Sequence, residues 1–279
     1  MSMRGGLPHE PGYTTIQHTD AAGRHHPVHV AGDGPPVVII HELAGVSPML
    51  LEFARRVRER GFATHLPVLI ERRGGPARLL VAAIRVCVSA EFTKLARGKT
   101  SPIVGWLRSY GTSIHLETGN EIGVVGMCLT GGFALAMAVD PHVAASVTGH
   151  PTLPLGIGTA RQRDLGIDSA DLAALKRRSD LSVKGVRFSC DLIAPRRRFD
   201  RMQEEFGDRF DRTDVASGPG SRLGFSRWEH SVLNNRRLQP GNPNKDAARA
   251  ELERVVDEVL DFLELRLRPG SRGGPPKGH

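Results

Sequence analysis

Aromatic side chains are scarce in this 279-residue chain, at 5% of positions, with two Trp and two Tyr among them. Cysteine is scarcer: Cys87, Cys128 and Cys190 are the whole set, and their spacing fits neither a disulfide framework nor a zinc site. The longest apolar run, Leu79 to Val88, is too short to cross a bilayer and is broken by Arg85. The N-terminus, Met1-Ser-Met-Arg-Gly-Gly-Leu-Pro-His-Glu-Pro, carries no apolar stretch of signal-peptide length. These absences argue against a stapled secreted module and a membrane protein, and they make a reducing, cytoplasmic setting the default expectation.

Charge is present in quantity, with a formal net value of +8 and arginine far in excess of lysine. Such a balance is compatible with nucleic-acid or acidic-ligand binding. The arginines, however, are scattered among Asp and Glu, with no basic helix and no aromatic stacking platform. We read them as a solvated surface and expect neither a nucleic-acid nor a membrane partner. Hydrophobic content of 39% is ordinary for a globular protein, and the length suits one α/β unit with a single core.

The chain order alternates strand and helix signals. Residues 1 to 24 read as an irregular arm or an edge hairpin, and His26 to Val30 as a short alternating segment. Val37 to Ile40 is a β-branched run of the kind buried on both faces of a parallel sheet. Ser47-Pro48 opens a helix whose apolar residues Leu50, Leu51, Ala54 and Val57 recur at helical spacing, and Gly61 stops it. Phe62 to Leu66 is the next strand. Helical patterns follow over Pro76 to Leu95 and Ile103 to Tyr110. Strands are expected at Val143 to Thr148, Val183 to Ser189 and, as an edge, Arg209 to Val215. Helices are expected at Ser169 to Arg177, Pro195 to Phe206 and Asp246 to Leu267. The last is amphipathic, with Leu252, Val255, Val256, Val259, Leu260, Leu263 and Leu267 on one face. The order predicts an α/β fold with a doubly wound, mostly parallel sheet and helices on both faces. The tail from 268 to 279 has little apolar surface to bury and is expected to be disordered.

Cys128 is the most informative single residue. It stands in Glu121-Ile-Gly-Val-Val-Gly-Met-Cys-Leu-Thr-Gly-Gly-Phe-Ala-Leu-Ala-Met-Ala, where an apolar strand runs through glycines into a helical pattern. A cysteine at a tight strand-to-helix turn is lifted from the core, and the new helix aims its first N–H groups at the sulfur. Both effects favour a nucleophile with an oxyanion beside it. The competing reading is a small buried core residue.

Gly126-Met127-Cys128-Leu129-Thr130-Gly131-Gly132 resembles the nucleophile elbow of the dienelactone hydrolase family, α/β-hydrolases that use cysteine where relatives use serine. Val37-Val-Ile-Ile-His41-Glu42-Leu43-Ala-Gly45 resembles the family's early strand and His-Glu turn. Val186-Arg-Phe-Ser-Cys-Asp191 resembles the strand ending in the triad aspartate, and Trp228-Glu-His230-Ser-Val-Leu the late loop carrying the triad histidine. The likeness runs from about residue 25 to 267. It implies one α/β-hydrolase domain over 25–267, with 71–118 as a pocket-side excursion. Thr130 stands where the elbow usually has glycine, and its β-branch is expected to crowd the turn.

The resemblance implies a division of labour. Cys128, Asp191 and His230 follow the order nucleophile, acid, base of α/β-hydrolases. Asp191 is favoured over Asp180, Asp208 and Asp214, which lie at the opposite edge or in the edge strand. His150 ends a strand at the same rim and stands as rival base or pocket residue, while His41 is expected to stay structural. Glu42 is expected to meet the resting Cys128 thiol and to take its proton when substrate binds. The N–H groups of Leu43 and Leu129 would form the oxyanion hole. Arg72, Arg73, Arg78 and Arg85 are available for a substrate carboxylate, and no motif selects among them. His41-Glu42 lacks the second histidine of a zinc protease helix.

The implied activity is cleavage of a small ester or lactone through a Cys128 thioester, without metal or organic cofactor. Two other classes remain: a hydrolase-fold protein that binds a small ligand with little turnover, and a redox thiol protein, for which Cys128 has no resolving cysteine nearby in sequence. The substrate itself and the oligomeric state are not legible.

Overall fold

The computed structural model describes residues 12–43, 45–69, 101–156, 158–241 and 246–268. The expected helix at Pro76 to Leu95, with Cys87 and the four candidate arginines, lies outside the described residues, as do 1–11 of the arm and 269–279 of the tail.

Eight strands form one sheet: β1 (Thr14–Thr19), β2 (His25–Ala31), β3 (Pro36–Ile40), β4 (Ala63–Pro67), β5 (Ile122–Met127), β6 (Val143–Gly149), β7 (Ser182–Phe188) and β8 (Phe210–Val215), in the order β1-β2-β4-β3-β5-β6-β7-β8. β1 pairs antiparallel with β2, and β2 with β4. From β4 through β8 every pairing is parallel. Of the two readings of the N-terminal segment, Thr14–Thr19 therefore forms the edge hairpin, with Thr14 opposite Val30 and Thr19 opposite His25.

The helices are α1 (Pro48–Glu59), α2 (Pro102–Thr118), α3 (Gly131–Met137), α4 (Thr159–Arg163), α5 (Ser169–Arg177), α6 (Arg196–Phe206) and α7 (Ala247–Leu267). Ser47 caps α1 by accepting the Leu50 N–H at 3.2 Å, with Pro48 in the first helical turn. Asp246 caps α7 in the same way through the Arg249 N–H. The helix expected to end near Tyr110 continues to Thr118 and stops at Gly119, which adopts the left-handed conformation. Its extra turns carry Ile114 into the core, while Leu116 faces solvent. The short α4 had no apolar periodicity to announce it, and none of its residues is buried.

The strand runs split by parity, as a two-faced sheet demands. Val38, Ile40 and Val124 pack with α2, α3, α5 and α6. Val37, Ile39, Val125, Met127 and Val147 pack with α1 and α7 on the other face. The chain reverses its direction of winding between β3 and β5, which puts a crevice at their carboxyl ends, where ligands bind in open α/β sheets. Among the described residues no helix is long and apolar enough to cross a membrane.

Candidate active site

Four parallel strands end at one edge and each delivers a candidate residue within three positions of its last residue: Glu42 after β3, Cys128 after β5, His150 after β6 and Asp191 after β7. His230 arrives on the long loop after β8.

Cys128 has φ 56°, a left-handed value that a non-glycine residue adopts at some cost. The strain follows from the turn itself. β5 ends at Met127, Cys128–Thr130 forms one 3₁₀ turn, and α3 begins at Gly131. Gly126 makes the turn possible, because a Cβ there would sit 2.3 Å from the Thr130 carbonyl oxygen. The crowding at Gly126 thus comes from backbone rather than from the β-branch of Thr130. The Thr130 hydroxyl is instead an asset: it accepts the Met127 N–H at 3.1 Å and lies 3.1 Å from Ile40 O and 3.2 Å from His41 O. It ties the elbow to the end of β3.

Asp191 is buried, and its two carboxylate oxygens are divided. Oδ1 accepts the backbone N–H groups of Ile193 (3.0 Å) and Ala194 (3.1 Å), and Oδ2 accepts the Nδ1–H of His230 at 2.6 Å. The buried Arg187 braces the loop by donating to the carbonyls of Asp191 and Ala194. With Nδ1 protonated, Nε2 is the free nitrogen of His230, and it is buried without a hydrogen-bond partner among the described residues. Burial pushes the imidazole pKa down. The hydrogen bond to Asp191 and then the adjacent Cys128 outweigh it and hold it up at about 10. Cys128 is thus near enough to His230 to raise its proton affinity.

Thr152, which nothing in the sequence singled out, is the described hydrogen-bond partner of the Cys128 sulfur, with Oγ1 at 3.4 Å. Its N–H also donates to the Cys128 carbonyl at 2.9 Å. A threonine after a strand-end Gly-His-Pro carries no motif, so only the packing of this loop reveals it.

The structure places the Glu42 carboxylate on His150 rather than on the sulfur. Its Oε1 is 2.7 Å from His150 Nε2 and accepts the Ser231 hydroxyl at 3.1 Å. Asn234 also helps to hold the carboxylate ionised, and among the described residues Glu42 has no hydrogen bond to Cys128. The reason is that His150, fully buried beside it, is a better placed donor. His150 in turn loses its standing as rival base, since Glu42 occupies Nε2 and the Val232 N–H approaches Nδ1 at 3.5 Å. His41 is structural, as expected: Nδ1 bonds Glu42 O at 2.6 Å and Nε2 accepts the Leu69 N–H at 2.9 Å.

Leu129 is the second residue of the 3₁₀ turn, where amides have no preceding turn to bond. Leu43 lies in the turn after Glu42, closed by Gly45 N–H to Glu42 O at 2.9 Å. The loops around the site also expose large apolar side chains: Leu155 after β6, Leu192 and Ile193 beside Asp191, and Trp228 before His230. Among the described residues no group of three or more His, Cys, Asp or Glu is arranged to hold a metal ion.

Sheet order and the strand-end placement of these residues define an α/β-hydrolase. The profile of the dienelactone hydrolase family matches residues 22–177, more than half of the chain, and the chain belongs to that family. No curated protein matches it in sequence. Similar solved structures include a dienelactone hydrolase from Anabaena variabilis, at 15% identity and TM-score 0.59, covering 93% of this chain and 100% of that one. A putative dienelactone hydrolase from Klebsiella pneumoniae aligns at 15% identity and TM-score 0.56, covering 90% and 99%. An esterase from Pyrococcus furiosus aligns at 11% identity and TM-score 0.57, covering 91% and 93%. At such identities these likenesses speak for the fold.

Proposed function

We propose that this protein hydrolyses a small carboxylic ester or lactone through a thioester at Cys128. The observation that carries the reading is the strained, left-handed Cys128 beside a histidine already fixed by a buried aspartate. The high proton affinity of His230 favours transfer of the sulfur proton to Nε2. The sulfur then attacks the ester carbonyl, and the N–H groups of Leu129 and Leu43 receive the oxyanion. His230 returns its proton to the leaving alkoxide, which for a lactone stays tethered to the acyl group. Water, deprotonated by His230, cleaves the thioester and restores the sulfur. The exposed Leu155, Leu192, Ile193 and Trp228 would flank apolar substrate groups.

The test is turnover of an activated aryl ester alongside stoichiometric thiol labelling. The parent should show turnover and one reactive site thiol, and Cys128→Ala should lose at least about 10³-fold in kcat/KM. Turnover that survives Cys128→Ala, or a parent that binds esters without cleaving them, overturns the reading.

A further inference from the structure

Beside the His230–Asp191 pair stands a second carboxylate–imidazole pair, Glu42–His150. The two imidazole rings meet edge to face, centroids 4.6 Å apart at 79°. An ionised carboxylate has no proton to give, so His150 Nε2 carries the hydrogen donated to Glu42 Oε1, and Nδ1 is left to face the Val232 N–H. Ser231 adds a second donor to Glu42, and Asn234 also favours its ionised form. The carboxylate is therefore engaged by His150 and Ser231, and among the described residues no hydrogen bond joins it to the sulfur, which meets Thr152 instead.

We propose that His150 is a positioning residue: it holds Glu42 off Cys128, so that the sulfur exchanges its proton with His230 alone and stands ready for attack at rest. The inference rests on Cys128 being the nucleophile. The proton leaves Sγ for His230 Nε2, the electron pair stays on sulfur, and Glu42 neither gains nor loses a proton. Charge supports the arrangement. Burial lowers the His150 pKa against the pull of Glu42, which keeps the ring neutral. Burial alone would raise that of Glu42, but His150, Asn234 and His230 bring it down to about 2. The other titratable groups acting on His150 are His230 and Asp191, and those acting on His230 include Cys128 and Asp191. Asp191 is engaged by His230 and two backbone amides and does not compete for Nε2 of His150.

The experiment is the rate of Cys128 alkylation by iodoacetamide in the full chain at pH 7 and pH 10, with Cys128→Ala defining the labelled site. His150→Asn tolerates the positive φ of 36° at this position and keeps an acceptor for Val232, but is too short to reach Glu42. His150→Gln places an amide N–H near Nε2. We expect H150N to react about tenfold or more slowly at pH 7 and at the parental rate at pH 10, where thiols ionise unaided. H150Q should match the parent, and the loss in H150N should vanish when Glu42→Gln is added. E42Q alone should stay within about threefold of the parent, an arm that does not depend on H150N folding. A parental rate in H150N at pH 7, a loss that persists in H150N/E42Q, or an E42Q rate more than threefold above the parent overturns the proposal. Ester turnover in Cys128→Ala would instead overturn the reading of the nucleophile, whatever His150 does.

Discussion

Asp191 shows how one buried carboxylate is given a direction. Two backbone amides hold Oδ1, which leaves Oδ2 to fix the His230 ring and its tautomer. Asp191→Asn keeps the shape but presents an amide that permits the wrong tautomer, so kcat should fall by roughly 10³–10⁴-fold with KM little changed. Steady-state kinetics on an aryl ester check this, and a loss under tenfold would contradict the role. The same bond links pH to stability. The folded pKa of His230, about 10, lies above the ordinary value of 6.5. The stabilisation is therefore complete below pH 6.5 and disappears as pH rises through about 10. D191N should flatten that decline in denaturant midpoints.

At the level of elements, α6 anchors the segment that brings Thr152 to the sulfur. Arg198 projects from its first turn into a fully buried position and, among the described residues, bonds only carbonyls: Pro151 O at 2.6 Å, Asp164 O at 2.7 Å, Arg161 O at 3.2 Å, and Pro154 O. Burial lowers the guanidinium pKa to about 10, which leaves it charged near neutrality. Each buried acceptor left without a donor costs about 1–3 kcal/mol. Arg198→Met should therefore destabilise the protein by more than about 3 kcal/mol, read from urea unfolding. It should also slow Cys128 alkylation, because Pro151 and Thr152 share the freed loop. A stability change below about 1 kcal/mol would show that the carbonyls find other donors.

At the scale of the whole molecule, several of the described arginines pair with acids on other elements. Arg60 on the loop after α1 meets Asp257, Asp261 and Glu264 of α7, Arg163 meets Glu204, and Arg212 meets Asp200 and Asp214. Exposed pairs of this kind contribute little stability each. Acid sensitivity has a different origin. His41 and His65 are buried, and burial lowers both to about 4. Between pH 6.5 and 4 the unfolded chain binds protons that these folded rings refuse, so stability falls as pH is lowered. His41 alone contributes up to about 3 kcal/mol to that fall. Glu42 adds a later loss, beginning near 4.5 and complete as pH passes about 2. A urea midpoint that stays constant from pH 6.5 to 4 would refute the assignment.

The sequence by itself determined the α/β class, most strand and helix positions and the elbow at Cys128. Periodicity, caps and glycine placement are local, and β3, α1, β5 and α7 carry all of them. Strand-end position and chain order also nominated Asp191 and His230, which the structure joins at 2.6 Å. What only the tertiary structure decided is which side chains meet across the cleft. Glu42 was assigned to the sulfur, and it turned to His150 because a fully buried ring 108 residues away offers it a proton. Thr130, expected to crowd the turn, bonds the end of a neighbouring strand, and Thr152 reaches the sulfur through a loop with no motif. Hydrogen-bond partners in a cleft are set by geometry between distant segments, and no local pattern of residues records that geometry.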